Sequence, residues 1–142
     1  YISRDVLEDA NMGRRYLPAS WVDLPASVIA SADIACQQPV ADATKRMLDL
    51  AENYYQSALL GIQLLPLRSR LSITIAWRVY RQIGWVLKRR GLLWWQGRVF
   101  VSKSEKMLLS LHSLGDLIPV KVPAHKEALH QHLQGLAGVQ TE

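Results

Sequence analysis

Apolar residues along this chain return every three or four positions and nowhere alternate over a strand-length stretch, which predicts helices throughout. The clearest case is residues 40–65, where Val40, Ala43, Met47, Leu50, Tyr54, Ala58 and Ile62 form one stripe and Pro66 ends it. A second helix is expected over 69–90, with Leu71, Ile75, Val79, Ile83 and Val86 on one side. Arg89, Arg90 and Gly91 make it a favourable C-terminus. The turn between the two is short, so they should pack as antiparallel neighbours.

Weaker patterns fill the remainder. Residues 1–12 read as a helix with Ile2, Val6, Leu7 and Ala10 inward and Asp5, Glu8 and Asp9 elsewhere, stopped by Gly13. No capping residue precedes it, so the chain is expected to enter partway through an element of a longer parent. Pro18 suits the opening of a short helical turn carrying Trp21, Val22 and Leu24, and Pro25 and Pro39 bracket a less regular connection. After a connection over 92–101, Ser102 and Glu105 have capping-box spacing and open a helix that Gly115 would close. Residues 119–142 read as a peripheral tail expected to be disordered, with only weak amphipathicity over 124–133 and a polar end.

With 142 residues, 49% of them hydrophobic, the expectation is one all-α domain or part of one. A single cysteine, Cys36, cannot staple the chain, which points to a reducing, cytoplasmic compartment. It has no neighbouring Cys or His that would suggest zinc or a catalytic thiol. The longest apolar run, 57–67, is about half of the ~20 residues a bilayer crossing needs. A net charge of +5 suits a polyanionic partner without choosing among nucleic acid, anionic lipid and diphosphate. His130 and His132 are two apart, so a helix would point them to different sides, unlike a helical zinc pair. No glycine-rich phosphate loop is present.

Asp5 and Asp9 are the most suggestive pair. On a helix they share a face with Cβ atoms roughly 5–6 Å apart, a like-charge arrangement that calls for a cation. Mg²⁺ fits, because it takes hard oxygen ligands and commonly keeps only one or two protein carboxylates beside substrate phosphates. A solvated acidic face would give the same spacing, so the surroundings must decide.

Those surroundings carry a resemblance. The string RDVLEDANMGRRYLPASW resembles the second aspartate-rich motif of phytoene and squalene synthases. AENYYQSALLGIQLLPLRSRLSITIAWRVYRQIG resembles the helical pair that follows it in phytoene synthases, and GRVFVSKSEK their last signature. The resemblance implies the C-terminal portion of an isoprenoid-synthase-type helical bundle over 1–118, with the N-terminal part of the same domain missing. It implies Asp5 and Asp9 as ligands of Mg²⁺ (or Mn²⁺), Arg98 as a contact to substrate diphosphate, and Tyr16 and Tyr80 as catalytic residues beside the reacting groups. The implied parent is a transferase of carotenoid biosynthesis that condenses two geranylgeranyl diphosphates head-to-head, through a cyclopropyl diphosphate, to phytoene. The lipid substrate and product imply peripheral membrane association, and a plastid location in a eukaryote.

The chain departs from the family in two ways. It holds no second DxxxD, so it should be inactive alone, and Tyr1 stands where the family usually has Asn. Two other functions compete. A squalene or dehydrosqualene-type synthase acting on farnesyl diphosphate would keep the same carboxylates. A non-catalytic module binding an anionic surface would use Arg78, Arg81, Trp85 and Lys88, which share one helix face. Nucleic acid is not the expected partner. Trp77, Tyr80, Gly84 and Leu87 share a face as well, suited either to an apolar tail or to close helix packing.

Overall fold

The computed structural model describes residues 2–115 and 127–136, and every regular element among them is helical. Five α-helices follow in order: α1 Val6–Asn11, α2 Ala26–Ser31, α3 Ile34–Gln63, α4 Leu67–Arg89 and α5 Lys103–Gly115. Two 3₁₀ segments, Trp94–Gln96 and Glu127–Leu133, complete the set. α1 packs on α2, α3 on α4 and α4 on α5, while the Trp94–Gln96 turn lies against α1 and α3.

The first helix is shorter than its pattern predicts. Asp5 has φ −104° and ψ 18°, outside the helical well, so the regular helix begins only at Val6 and residues 2–4 form a turn. Gly13 stops it as expected: its φ is +73°, its N–H reaches Ala10 O at 2.9 Å and that of Arg14 reaches Asp9 O at 2.8 Å. Those two bonds are a Schellman ending, which needs a left-handed residue at that point. The Pro18 turn also forms, with the N–H groups of Trp21 and Val22 on Pro18 O.

Pro39 does not break the chain into an irregular connection. Pro25 leads directly into α2, and α3 starts at Ile34 and runs through Pro39 for 30 residues. An interior proline costs about 3 kcal/mol, here by removing the donor to Ala35 O. Around it Cys36, Val40, Ala41 and Ala43 are all buried. Fully burying one Val-sized side chain contributes about 1.5–3 kcal/mol, so the packed face outweighs the lost bond.

α3 and α4 are antiparallel, as their short turn requires. Trp77 donates its indole N–H to Tyr55 O at 2.8 Å, Arg81 pairs with Glu52, and Lys88 Nζ reaches Asp49 Oδ1 at 2.6 Å, so one sequence rises as the other falls. Arg70 ties the turn by donating to Gln63 O at 2.5 Å and Leu65 O at 3.0 Å, two carbonyls at the end of α3. α4 ends in a second Schellman pair, Gly91 N–H to Lys88 O and Leu92 N–H to Leu87 O, both 3.0 Å. Ser102 and Glu105 form the expected capping box, each backbone N–H bonded to the other's side chain at 3.0–3.1 Å.

Within the tail, residues 127–136 lie on α3. Tyr54 donates to Leu129 O at 2.9 Å, and the Tyr54 and His130 rings meet edge-on at 5.8 Å. The rest of 116–126, including the start of the amphipathic stretch expected over 124–133, falls outside the described residues, as does 137–142.

Candidate active site

The N-cap of α1 brings a carboxylate to the surface of the main core, where Val6, Ala10, Leu17, Ile29, Val40 and Trp94 are buried together. Asp5 is half-buried there, its side chain 13% exposed. Arg4 grips it with both arms, Nε to Oδ1 and Nη2 to Oδ2, each at 2.8 Å. Arg98 arrives from 93 positions later in the sequence and places Nε 2.9 Å from the same Oδ1. Its Nη1 lies 3.2 Å from Glu8 Oε2.

Arg98 is delivered by its neighbours. The reversal at Gly91 and Leu92, with φ +69° and +59°, drops the chain onto the core. Trp94 is buried there and donates to Gln37 O at 3.0 Å, and Val99 is buried against Leu48 and Leu87. Arg98 lies between these two anchors.

Two guanidiniums decide the ionisation of Asp5. Burial pushes its carboxyl up, but the Arg4 hydrogen bond and the charges of Arg4 and Arg98 outweigh it and hold the group below the ordinary carboxylate value. Arg4 is held above its own usual value by its hydrogen bond to Asp5, against burial, with Asp5, Tyr80 and Glu8 adding electrostatically. Tyr80 is half-exposed on α4.

Asp9 has different surroundings. It borders a shallow cleft with Ile2, Val6, Arg14, Arg15, Tyr16 and Leu17, and among the described residues its carboxylate makes no hydrogen bond or ion pair. Of the expected site residues, the structure brings Asp5 and Arg98 into contact and places Asp9 beside Tyr16 in the cleft. Two carboxylates are the number Mg²⁺ takes when substrate phosphates supply further oxygens. Among the described residues no group of three or more His, Cys, Asp or Glu is gathered for a metal, and of the two candidate carboxylates Asp5 is already paired with Arg4 and Arg98.

Sequence reasoning took Arg4 and Glu8 only as a weak ion pair on a solvated helix face, whereas Arg4 pairs with Asp5 and Glu8 with Arg98. Their signal was faint, since flanking charges next to a helical carboxylate are ordinary and Arg98 is invisible locally. It also passed over an open apolar groove of about 540 Å³ between α3 and α4, lined by Met47, Leu50, Tyr54, Ile62, Ile73 and Trp77 among others. Five of the seven residues of the α3 stripe, Met47, Leu50, Tyr54, Ala58 and Ile62, line this groove. Gly84 and Leu87 are buried instead, and Gly84 borders a small gap with Leu48, Ala51 and Tyr55 of α3. The basic face of α4 is also largely spent: Arg81 is on Glu52 and over the Trp77 ring, and Lys88 is on Asp49. A module reading an anionic surface would need those charges outward.

The family model for squalene/phytoene synthase matches residues 1–105. The chain belongs to the squalene/phytoene synthase family. Similar members of that family include the 15-cis-phytoene synthase of Enterobacter agglomerans, 36% identical over 125 residues, which covers 87% of this chain and 42% of that protein. The 15-cis-phytoene synthase of Pantoea ananas is 36% identical over 127 residues, 87% of this chain and 40% of its own. That of Paracoccus sp. (strain N81106 / MBIC 01143) is 39% identical over 107 residues, 75% and 34% respectively. The chain spans about 40% of the length of the first two. No solved structure matches it. Among the described residues no helix is long and apolar enough to cross a membrane.

Proposed function

We propose that this chain is the diphosphate-ionising part of a prenyltransferase site, residues 1–118 being the C-terminal part of a head-to-head synthase domain. Residues 119–142 would be a peripheral addition. The observation that carries the reading is Arg98 at 2.9 Å from Asp5, an acid and a base from opposite ends of the matched region in one cluster. The whole protein would join two geranylgeranyl diphosphates to phytoene through a cyclopropyl diphosphate, a reading supported by the name phytoene synthase that the relatives above carry.

In this mechanism Asp5 and Asp9 would hold Mg²⁺, or Mn²⁺ in its place. Bound there, the metal would supply Lewis-acid neutralisation of the departing diphosphate. Arg98 would bind diphosphate oxygens with its planar fork, a geometry a lysine could not reproduce. Tyr16 and Tyr80, both half-exposed, would offer ring faces to the allylic cation without trapping it covalently. The α3–α4 groove, whose lining is apolar, would take a prenyl tail. The lipid character of such a substrate supports peripheral association with membranes.

Binding of a non-hydrolysable geranylgeranyl thiolodiphosphate tests this on the chain itself. Affinity should rise with Mg²⁺ and fall at least tenfold in Asp5→Asn and Asp9→Asn. Metal-independent binding that both substitutions leave unchanged would refute the reading. Turnover should need the preceding part of the domain as well, with the isolated chain inactive. Product analysis of the joined protein with geranylgeranyl and farnesyl diphosphates separates a phytoene-type from a squalene-type enzyme.

A further inference from the structure

A bulky residue stands near the middle of the α3–α4 groove. The α3 side of the groove runs from Met47 to Ile62, about 22 Å at the helical rise, and Tyr54 stands close to its midpoint between Ala51 and Ala58. Those alanines lie one turn to either side on the same face, so the phenol ring is the bulk between two small residues. Where that ring points decides whether the trough is continuous or divided.

The ring is held from outside. Tyr54 donates its hydroxyl to Leu129 O at 2.9 Å, and the His130 ring meets it edge-on at 5.8 Å. His130 Nε2 also lies 3.4 Å from the Oγ of Ser57, which is buried. Ser57 projects about 100° around the helix from Ala58, on the flank of α3 and outside the groove. Residues 127–136 therefore sit along one edge of the groove, and both contacts draw the Tyr54 phenol to that edge. A half-buried tyrosine hydroxyl keeps such a place because it needs an acceptor. Across the groove, Trp77 of α4 is fixed by its own bond to Tyr55 O, so two tethered aromatics border the trough.

We propose that residues 127–136 are a clamp that keeps Tyr54 off the middle of the groove, so that one long apolar chain can lie along its whole length. The inference rests on the reading of this groove as the place of a prenyl tail, and it makes Leu129 and His130 positioning residues for the length of that tail. The segment lies beyond residue 105, where the match to the family model ends. Without the clamp the hydroxyl turns to water, the ring gains a rotamer over Ala51 or Ala58, and the trough becomes two short pockets. A short chain fits one of them; a long one does not.

The test uses the 142-residue chain in EDTA with two prenyl alcohols, geraniol and geranylgeraniol, whose binding is followed by calorimetry. With neither metal nor diphosphate present, only the apolar contact is read. Wild type should favour geranylgeraniol. Tyr54→Phe loses the hydroxyl and His130→Ala the ring contact. Each should weaken geranylgeraniol by roughly three- to fivefold, the shift that one net hydrogen bond gives, with geraniol changed less than about twofold. His130→Phe keeps a ring edge for Tyr54 and should retain the wild-type ratio, as should His132→Ala, which is exposed in the same segment. Thermal unfolding checks that each protein is folded. An unchanged ratio of the two affinities in both Tyr54→Phe and His130→Ala, or an equal loss for both alcohols, overturns the clamp and leaves the groove reading in place. Wild-type chain that binds neither alcohol overturns both, and the Asp5 and Asp9 substitutions with thiolodiphosphate then decide the metal reading separately.

Discussion

Leu87 and Leu64 provide a clean comparison, since they are the same residue near the ends of the same helical hairpin and differ only in surroundings. Leu87 is 1% exposed and packs with Leu48 and Val99, whereas Leu64 is 86% exposed. Leu87→Ala removes three carbons from a sealed site, a transfer loss of roughly 2.4 kcal/mol at about 0.8 per buried carbon. The cavity term adds to it. Leu48 is fixed in the middle of α3, and Val99 sits on the segment that also bears Arg98, so the walls can collapse only partly and the total should reach about 3–4 kcal/mol. Leu64→Ala should change stability by less than about 0.5 kcal/mol. Urea unfolding followed by fluorescence of the five tryptophans measures both. Loss below about 1.5 kcal/mol at Leu87, or an equal loss at Leu64, would refute the packing argument. A second readout links packing to the site: by loosening Val99, Leu87→Ala should free Arg98 from Asp5 and move the Asp5 carboxyl back towards its ordinary value, visible by NMR titration.

Other expectations are local. Ser102→Ala should cost about 1 kcal/mol and speed amide exchange at Glu105, whose N–H is bonded to the serine at 3.1 Å; unchanged exchange would argue against the cap. Gly13→Ala should cost roughly 1–2 kcal/mol from backbone conformation alone, since a Cβ there would meet nothing within 4 Å, and thermal unfolding should show Gly13→Asn to be milder. Glu52 is held below its ordinary value chiefly by its hydrogen bond to Arg81, against burial. Its contribution is therefore complete above the unfolded carboxyl value and is lost as pH falls through the lower folded one. Wild type should thus lose more stability between pH 6 and pH 3 than Glu52→Gln does, and parallel pH profiles would contradict the assignment.

Several features were settled by residues close together in sequence. The Ser102 to Glu105 cap and the Gly13 and Gly91 stops depend on a few neighbouring dihedrals and bonds, so their signals are complete within five or six residues. The antiparallel α3–α4 pair follows equally from two apolar stripes and a turn too short for any other arrangement. What the chain alone could not show is how distant groups compete. Pro39 looked like a boundary because its local cost is plain, whereas the burial of Cys36, Val40 and Ala43 that overrides it depends on Trp94 and Ile29 arriving from elsewhere. The basic face of α4 looked outward until Glu52 and Asp49 of α3 came opposite. Asp5 and Asp9 looked equivalent by spacing, yet one is clasped by Arg4 and Arg98 and the other opens on the Tyr16 cleft. Spacing fixes where a side chain starts on a helix; which charge it meets is a long-range electrostatic outcome, decided only when the chain folds back on itself.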